Sequence, residues 1–148
     1  MRKIYKHLVT GGAGFIGSAL VNRLIKRGNY VRVLDSNIRG VESRLNDIAD
    51  FIEADIRDYK QVIKACKGID VVHHLAYING TEYFYTMPEL ILETAVKGMM
   101  NIIDACRENN IKELYVASSS ETYQVAETIP TPETTRLIVP DPLNPRYS

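Results

Sequence analysis

The 148-residue sequence carries no net charge, because 18 basic side chains balance 18 acidic ones. This balance removes any electrostatic argument for a nucleic acid or an anionic membrane as a partner. Long hydrophobic runs are also absent, so no segment approaches membrane-spanning length. Residues 4–9 already have the pattern of a strand, and we expect no signal peptide. These absences, with 45% hydrophobic residues, predict an ordinary globular domain in the cytoplasm.

Cysteine is scarce, with only Cys66 and Cys106 in the chain. Each lies inside a helical pattern and has no Cys or His neighbour at the spacing of metal ligands. We therefore expect buried, reduced structural thiols and no metal site.

What the sequence does have is a glycine-rich turn directly behind a short apolar strand. Gly11, Gly14 and Gly17 are three residues apart, and Phe15 and Ile16 open an amphipathic helix behind them. The first glycine permits a tight turn, the second lets the backbone approach a phosphate, and the third allows the helix to pack close to the strand. This order predicts a dinucleotide pyrophosphate site, with a plain glycine loop as the alternative.

An acidic residue follows at the end of the next predicted strand. Asp35 lies about 20 residues past the glycines, where a carboxylate accepts hydrogen bonds from the adenosine ribose and repels a 2′-phosphate. This position favours NAD over NADP, and Ser36 and Asn37 directly after it are included in the predicted cofactor site. Arg39 weakens the argument a little, although a solvated loop charge is the simpler interpretation of that residue.

Strand and helix patterns alternate along the chain. We predict strands over 4–10, 30–35, 51–54, 70–75 and 113–118, and helices over 14–27, 58–67 and 87–109. Apolar strands that alternate with helices favour a parallel sheet covered on both faces. The predicted fold class is therefore α/β, a Rossmann-like doubly wound parallel sheet in the order 3-2-1-4-5, truncated before its last strands. Five of the six prolines lie between Pro130 and Pro145, so residues 124–148 are predicted to be an irregular loop.

The helix over 87–109 has two notable features. Thr86 is a plausible N-cap with Glu89 as its capping-box partner, and Pro88 suits the first turn. Apolar residues cover more than one face of this helix, which indicates either a homodimer interface or complete burial.

Four short motifs follow the predicted strands in order. They are Thr10 to Gly17, Asp55-Ile56, His74-Leu75-Ala76 and Ser118 to Tyr123. Together they resemble the extended short-chain dehydrogenase/reductase family, in particular its NAD-dependent nucleotide-sugar epimerases and dehydratases. The resemblance implies NAD as cofactor and a nucleotide-sugar epimerase as the activity. A 4,6-dehydratase or decarboxylase is the alternative, and a non-catalytic NAD-binding or redox-sensing module is a second one.

The resemblance also assigns roles to residues of the cofactor site. Asp55 would accept from the adenine amino group beside the Ile56 backbone, whereas the simpler alternative is a charge at a helix N-terminus. Leu75 and Ala76 would line the cofactor near its ribose and nicotinamide. Tyr77 departs from the family, which commonly has alanine there, and would crowd or stack near the nicotinamide.

The serine run after the last predicted strand carries the implied chemistry. Ser119 has the family's spacing from Tyr123, and Ser120 and Glu121 occupy positions that assist proton transfer in dehydratases and decarboxylases. A strand ending in a turn is the alternative for such a run. Residues 78–84 are predicted to be a loop that either meets the substrate or packs on the surface.

The family's catalytic Tyr-x-x-x-Lys motif is missing from the sequence. Tyr147 is followed only by Ser148, so we expect the catalytic tyrosine beyond that point and interpret Tyr147 as its neighbour. On this hypothesis residues 1–148 form an incomplete NAD-binding domain without a substrate domain, with little or no activity of its own.

Overall fold

Five parallel strands form one sheet in the computed structural model, which describes residues 4–139. The strands are β1 (Lys6–Thr10), β2 (Tyr30–Asp35), β3 (Asp50–Glu53), β4 (Val71–His74) and β5 (Glu113–Val116). The helices are α1 (Phe15–Lys26), α2 (Tyr59–Cys66), α3 (Thr81–Thr86) and α4 (Pro88–Glu108). The strand order β3-β2-β1-β4-β5 confirms the predicted Rossmann-like topology.

The two faces of the sheet are covered by separate apolar clusters. Alternate residues of a strand point to opposite faces, and accordingly Val9 of β1 packs in the cluster with Val21 of α1. Its neighbour Leu8 packs in the other cluster, with Val62 of α2 and Ile102 of α4. The reversal from the α1 face to the α2–α4 face occurs between β1 and β4, which leaves a crevice at the carboxyl ends of these strands.

Both cysteines lie in the cluster beneath α2 and α4. Cys66 and Cys106 are free and buried, as predicted. The Cys66 thiol donates a hydrogen bond to Cys106, and this bond together with burial raises the pKa of Cys66. The two thiols therefore join the C-terminal ends of both helices in the core.

The entrance to α4 differs from the prediction. Thr86 is not the N-cap, because it ends α3 and its hydroxyl donates to the Glu82 carbonyl at 2.9 Å. Met87 takes the N-cap position without a side-chain cap, so the predicted capping box with Glu89 does not form. Pro88 opens the helix as predicted. Thr86 is not available as an N-cap because it is the last residue of α3. The sequence analysis predicted a loop over residues 78–84 and no helix there.

Residues 124–139 contain turns and bends and no helix or strand, and the remainder of the predicted proline-rich loop, with Tyr147, lies outside the described residues. Between residues 4 and 139, the helices fall short of the length and apolar character needed to cross a bilayer.

Candidate cofactor site at the carboxyl ends of the strands

A groove of about 580 Å³ opens at the carboxyl ends of the strands, beside the N-terminus of α1. Its volume is typical of small-molecule sites. Most of the predicted cofactor residues line it: Gly11, Gly14, Phe15, Ile16, Gly17, Asp35, Ser36, Asp55, Ile56, Leu75, Ala76 and Tyr77. Asn37 does not line it, and its side-chain amide donates to Glu53 at 3.1 Å. The fold thus assembles predicted residues from four separate segments of the chain, and their contacts with a cofactor remain predictions.

At the glycine turn, the backbone of the turn lies very close to the start of α1 and to the segment after β4. A side chain at Gly11 or Gly17 would not fit between them. Gly11 has φ +69°, and a Cβ there would lie 2.8 Å from the backbone of Ala76, which follows β4. At Gly17 a Cβ would lie 2.1 Å from the Gly11 carbonyl oxygen. The absence of both side chains lets α1 begin directly above the turn.

The N-terminus of α1 is open toward the groove. Gly14 is the N-cap residue and provides no side-chain cap, and the first turn contains no acidic residue. The backbone N–H groups of this turn and the positive end of the helix dipole are therefore available to an anion. This is the arrangement that binds a pyrophosphate.

Asp35 organises the ribose side of the groove. One carboxylate oxygen accepts from the backbone N–H of Ala13 and the other from that of Asn37, both at 2.9 Å. A Cβ at Gly40 would lie 2.8 Å from the carboxylate, so the loop after β2 also folds tightly against it. Asp35 is buried, yet each oxygen keeps a lone pair with which to accept a ribose hydroxyl.

Thr10 and His74 support the centre of the groove from below. The Thr10 hydroxyl oxygen lies 2.7 Å from His74 Nδ1 and accepts from the Ala76 N–H at 3.3 Å. Burial lowers the pKa of His74 to about 4. The imidazole is therefore neutral near pH 7, and its Nδ1 shares a hydrogen bond with the Thr10 hydroxyl. This chain of hydrogen bonds fixes the backbone that contacts Gly11.

Asp55 lines the adenine side of the groove and is ion-paired. Its carboxylate binds the Arg57 guanidinium at 2.9 Å, and Arg57 also contacts Glu93 at 2.7 Å. Burial acts to raise the pKa of Asp55, but the hydrogen bonds and charge of Arg57 outweigh it and the pKa lies below its ordinary value. The N-cap of α2 is Asp58 rather than Asp55, which removes one reason for the helix-charge interpretation of Asp55.

The three residues predicted to be catalytic lie at the same edge of the sheet, beyond β5. Ala117 is the last residue of this segment that lines the groove. Ser119 N-caps a short 3-10 turn, and its Oγ accepts from the Glu121 N–H at 3.2 Å. Ser119, Ser120 and Glu121 are all exposed. The strand does end in a turn, and the catalytic roles remain predictions.

Several lining residues were missed by the sequence analysis as members of the site. They are Leu34, Ile38, Arg39, Gly40, Arg44, Ala54, Ile78, Asn79, Thr94 and Ala117. Most of them flank a predicted residue, so proximity along the chain was the available signal. Thr94 comes from α4, and only the packing of that helix brings it to the groove. Within residues 4–139, no three His, Cys, Asp or Glu side chains cluster as metal ligands would.

Comparison with known proteins agrees with this geometry. The model of the NAD dependent epimerase/dehydratase family matches residues 7–147. The chain belongs to this family. The resemblance inferred from the four sequence motifs is thereby confirmed, and so is NAD as the cofactor, since solved structures of relatives contain it. The glycine turn that a Cβ would fill and the uncapped α1 N-terminus both fit the NAD pyrophosphate.

Individual members of the epimerase/dehydratase family match most of the chain. A UDP-glucose 4-epimerase from Lactobacillus helveticus is 36% identical over 142 residues, which is 95% of this chain and 42% of that protein. A UDP-N-acetyl-alpha-D-glucosaminuronate decarboxylase from Bacillus cytotoxicus is 35% identical over 78% of this chain and 37% of its own length. The structure of Thermus thermophilus UDP-glucose 4-epimerase with NAD has a TM-score of 0.82 and 32% identity, covering 90% of this chain and 44% of that one. The chain thus spans about two fifths of the length of these relatives.

Proposed function

We propose that these residues form the cofactor-binding half of an NAD-dependent nucleotide-sugar 4-epimerase. The observation that carries the proposal is the joining of the glycine turn, Asp35 and the end of β4 in one groove, with Ser119 at the neighbouring strand end. The similarity to UDP-glucose 4-epimerases supports the choice of reaction. The match to a decarboxylase favours decarboxylation as the second candidate, with Ser120 and Glu121 as its proton-transfer residues.

The proposed chemistry divides between the cofactor and the chain. Bound NAD would accept a hydride from the sugar and return it to the opposite face of the keto-sugar. Ser119 would hold the reacting hydroxyl in line through Oγ, which contributes mainly orientation. The base that removes the hydroxyl proton is expected to be the tyrosine of a Tyr-x-x-x-Lys motif, which residues 1–148 do not contain.

Replacement of Ser119 by alanine tests this role. In the whole protein with NAD⁺ and UDP-glucose, we expect Ser119→Ala to lower kcat about 100-fold while KM changes little, because one positioned hydrogen-bond donor is lost. Ser43→Ala, at an exposed serine of the loop after β2, is the matched control.

The products separate the candidate reactions in the same assay. UDP-galactose indicates epimerisation, whereas a dehydrated product from UDP-glucose, or release of CO₂ from a UDP-uronic acid, indicates an alternative. If Ser119→Ala leaves kcat unchanged, the proposed positioning is wrong. A whole protein that binds NAD⁺ and transforms no nucleotide sugar would favour the non-catalytic module.

A homodimer through α4 is part of the proposal. Leu92, Val96, Met100 and Ile103 lie on one face of α4, and each is at least half exposed. An apolar stripe of this length is typical of a helix with a packing partner.

We expect Met100→Lys to shift the whole protein from dimer to monomer in sedimentation, whereas Lys97→Gln on the polar face leaves it unchanged. A monomeric wild-type protein would contradict the dimer. The cytoplasmic location stays a prediction.

A further inference from the structure

Arg39 connects two segments that border the NAD groove. Arg39 lies in the loop after β2 and lines the groove. Its guanidinium carbon is 5.6 Å from the centre of the Tyr83 ring in α3. A Cβ at Gly80 would lie 3.5 Å from Arg39 Nη1. Arg39 thus joins the ribose side of the groove to the segment that follows β4.

Both segments that Arg39 joins are anchored to the glycine turn. The Val41 N–H donates to the Ala13 carbonyl at 3.0 Å. A Cβ at Gly40 would lie 2.9 Å from Ala13 Cβ, so the residue next to Arg39 packs directly against the turn. On the other side, Ala76 contacts Gly11 and leads toward Gly80. These attachments place Arg39 beside the pyrophosphate site rather than in a freely moving loop.

The charges around the groove leave Arg39 available to an anion. Asp55 is paired with Arg57, and Asp35 accepts two backbone N–H groups. Among residues 4–139, Arg39 has no carboxylate within ion-pair distance. The α1 dipole supplies only about half a positive charge, which does not balance the dianionic pyrophosphate of NAD.

We propose that Arg39 is a cofactor-binding residue that donates to the NAD pyrophosphate, and that Tyr83 holds its guanidinium in position. An aromatic ring stabilises one face of the guanidinium and leaves its N–H edge free to donate. The inference rests on NAD as the cofactor and not on the reaction that follows. Binding measurements therefore test it even if the protein proves to transform no sugar.

Calorimetric titration of the whole protein with NAD⁺, ADP-ribose and adenosine tests the proposal. We expect Arg39→Ala to raise the dissociation constants of NAD⁺ and ADP-ribose about tenfold, as for the loss of one charge-assisted hydrogen bond at an exposed site. The affinity for adenosine, which has no phosphate, should not change. Arg39→Lys should retain part of the affinity for ADP-ribose, because it keeps the charge and loses the planar fork.

Further variants separate charge recognition from a general disturbance of the loop. Tyr83→Leu should weaken ADP-ribose binding by a smaller factor and add little in combination with Arg39→Ala, whereas Tyr83→Phe keeps the ring and the affinity. Arg27→Ala, at the opposite end of α1, is the control. An equal loss for all three ligands, or no loss for any of them, would overturn the proposal. So would a wild-type protein that binds neither NAD⁺ nor ADP-ribose.

Discussion

Replacing Gly17 by alanine is expected to lower NAD affinity about 100-fold and the free energy of unfolding by about 3 kcal/mol. The new Cβ would lie 2.1 Å from the Gly11 carbonyl oxygen and 2.7 Å from Gly12 Cα. Both are backbone atoms, so no side chain can rotate away to relieve the contact. The start of α1 must move off the turn, which removes its N–H groups from the pyrophosphate. Calorimetric titration with NAD⁺ and urea unfolding measure the two effects.

Gly28→Ala is the matched control for Gly17→Ala. Gly28 differs from Gly17 in having a positive φ, +81°, and a Cβ there meets nothing within 4 Å. The substitution should therefore cost only the backbone strain of a left-handed residue, about 1 kcal/mol, and leave NAD affinity unaltered. Wild-type NAD affinity in Gly17→Ala would show that the close approach of α1 to the turn is not required.

Acidification from pH 6.5 to about 4 is expected to destabilise the protein through His74. Burial lowers the pKa of His74 from 6.5 to about 4. Between these two values the unfolded chain binds a proton that the folded chain does not, so stability falls as the pH falls through this window. The expected loss from His74 alone is about 3 kcal/mol. Urea unfolding at a series of pH values from 7 to 4 measures it.

Other groups contribute with the same sign, and a variant isolates His74. Burial also lowers the pKa of His7 and of His73. The lowered pKa values of Asp50 and Asp55 act only at more acidic pH. His74→Asn retains an oxygen that can accept from Thr10 but does not titrate. Its stability should therefore depend less on pH than that of the wild-type protein. Parallel pH profiles for the two proteins would show that His74 is not the group responsible.

The groove could be predicted from the sequence because its framework depends on local patterns. Apolar strand runs followed by Gly11, Asp35 and Ala76 place these residues at carboxyl ends, and parallel strands bring such ends to one edge. The helix α3 escaped prediction for a local reason as well. It is one short segment rich in tyrosine, with no buried residue, so it has no apolar stripe to recognise.

The remaining features of the site depend on contacts between distant parts of the chain. Arg39 was interpreted as a solvated charge, because nothing in its own segment reveals that Tyr83 lies beside it. The ion pair of Asp55 with Arg57 is local, but the second contact of Arg57, to Glu93, requires α4 to pack against α2. The sequence pattern placed Ser119 at the end of a strand. The hydrogen bond that its Oγ accepts from the Glu121 N–H could not be predicted, because it depends on the geometry of the turn.

The buried thiol pair can be used to measure local opening of the core. Cys66 and Cys106 are the only cysteines, and both lie in the core between α2 and α4. An alkylating reagent reaches either sulfur only when these helices separate, so the labelling rate reports the free energy of that local opening. No mutation or attached dye is needed, and the rate with and without NAD compares the opening of α2 and α4 in the two states.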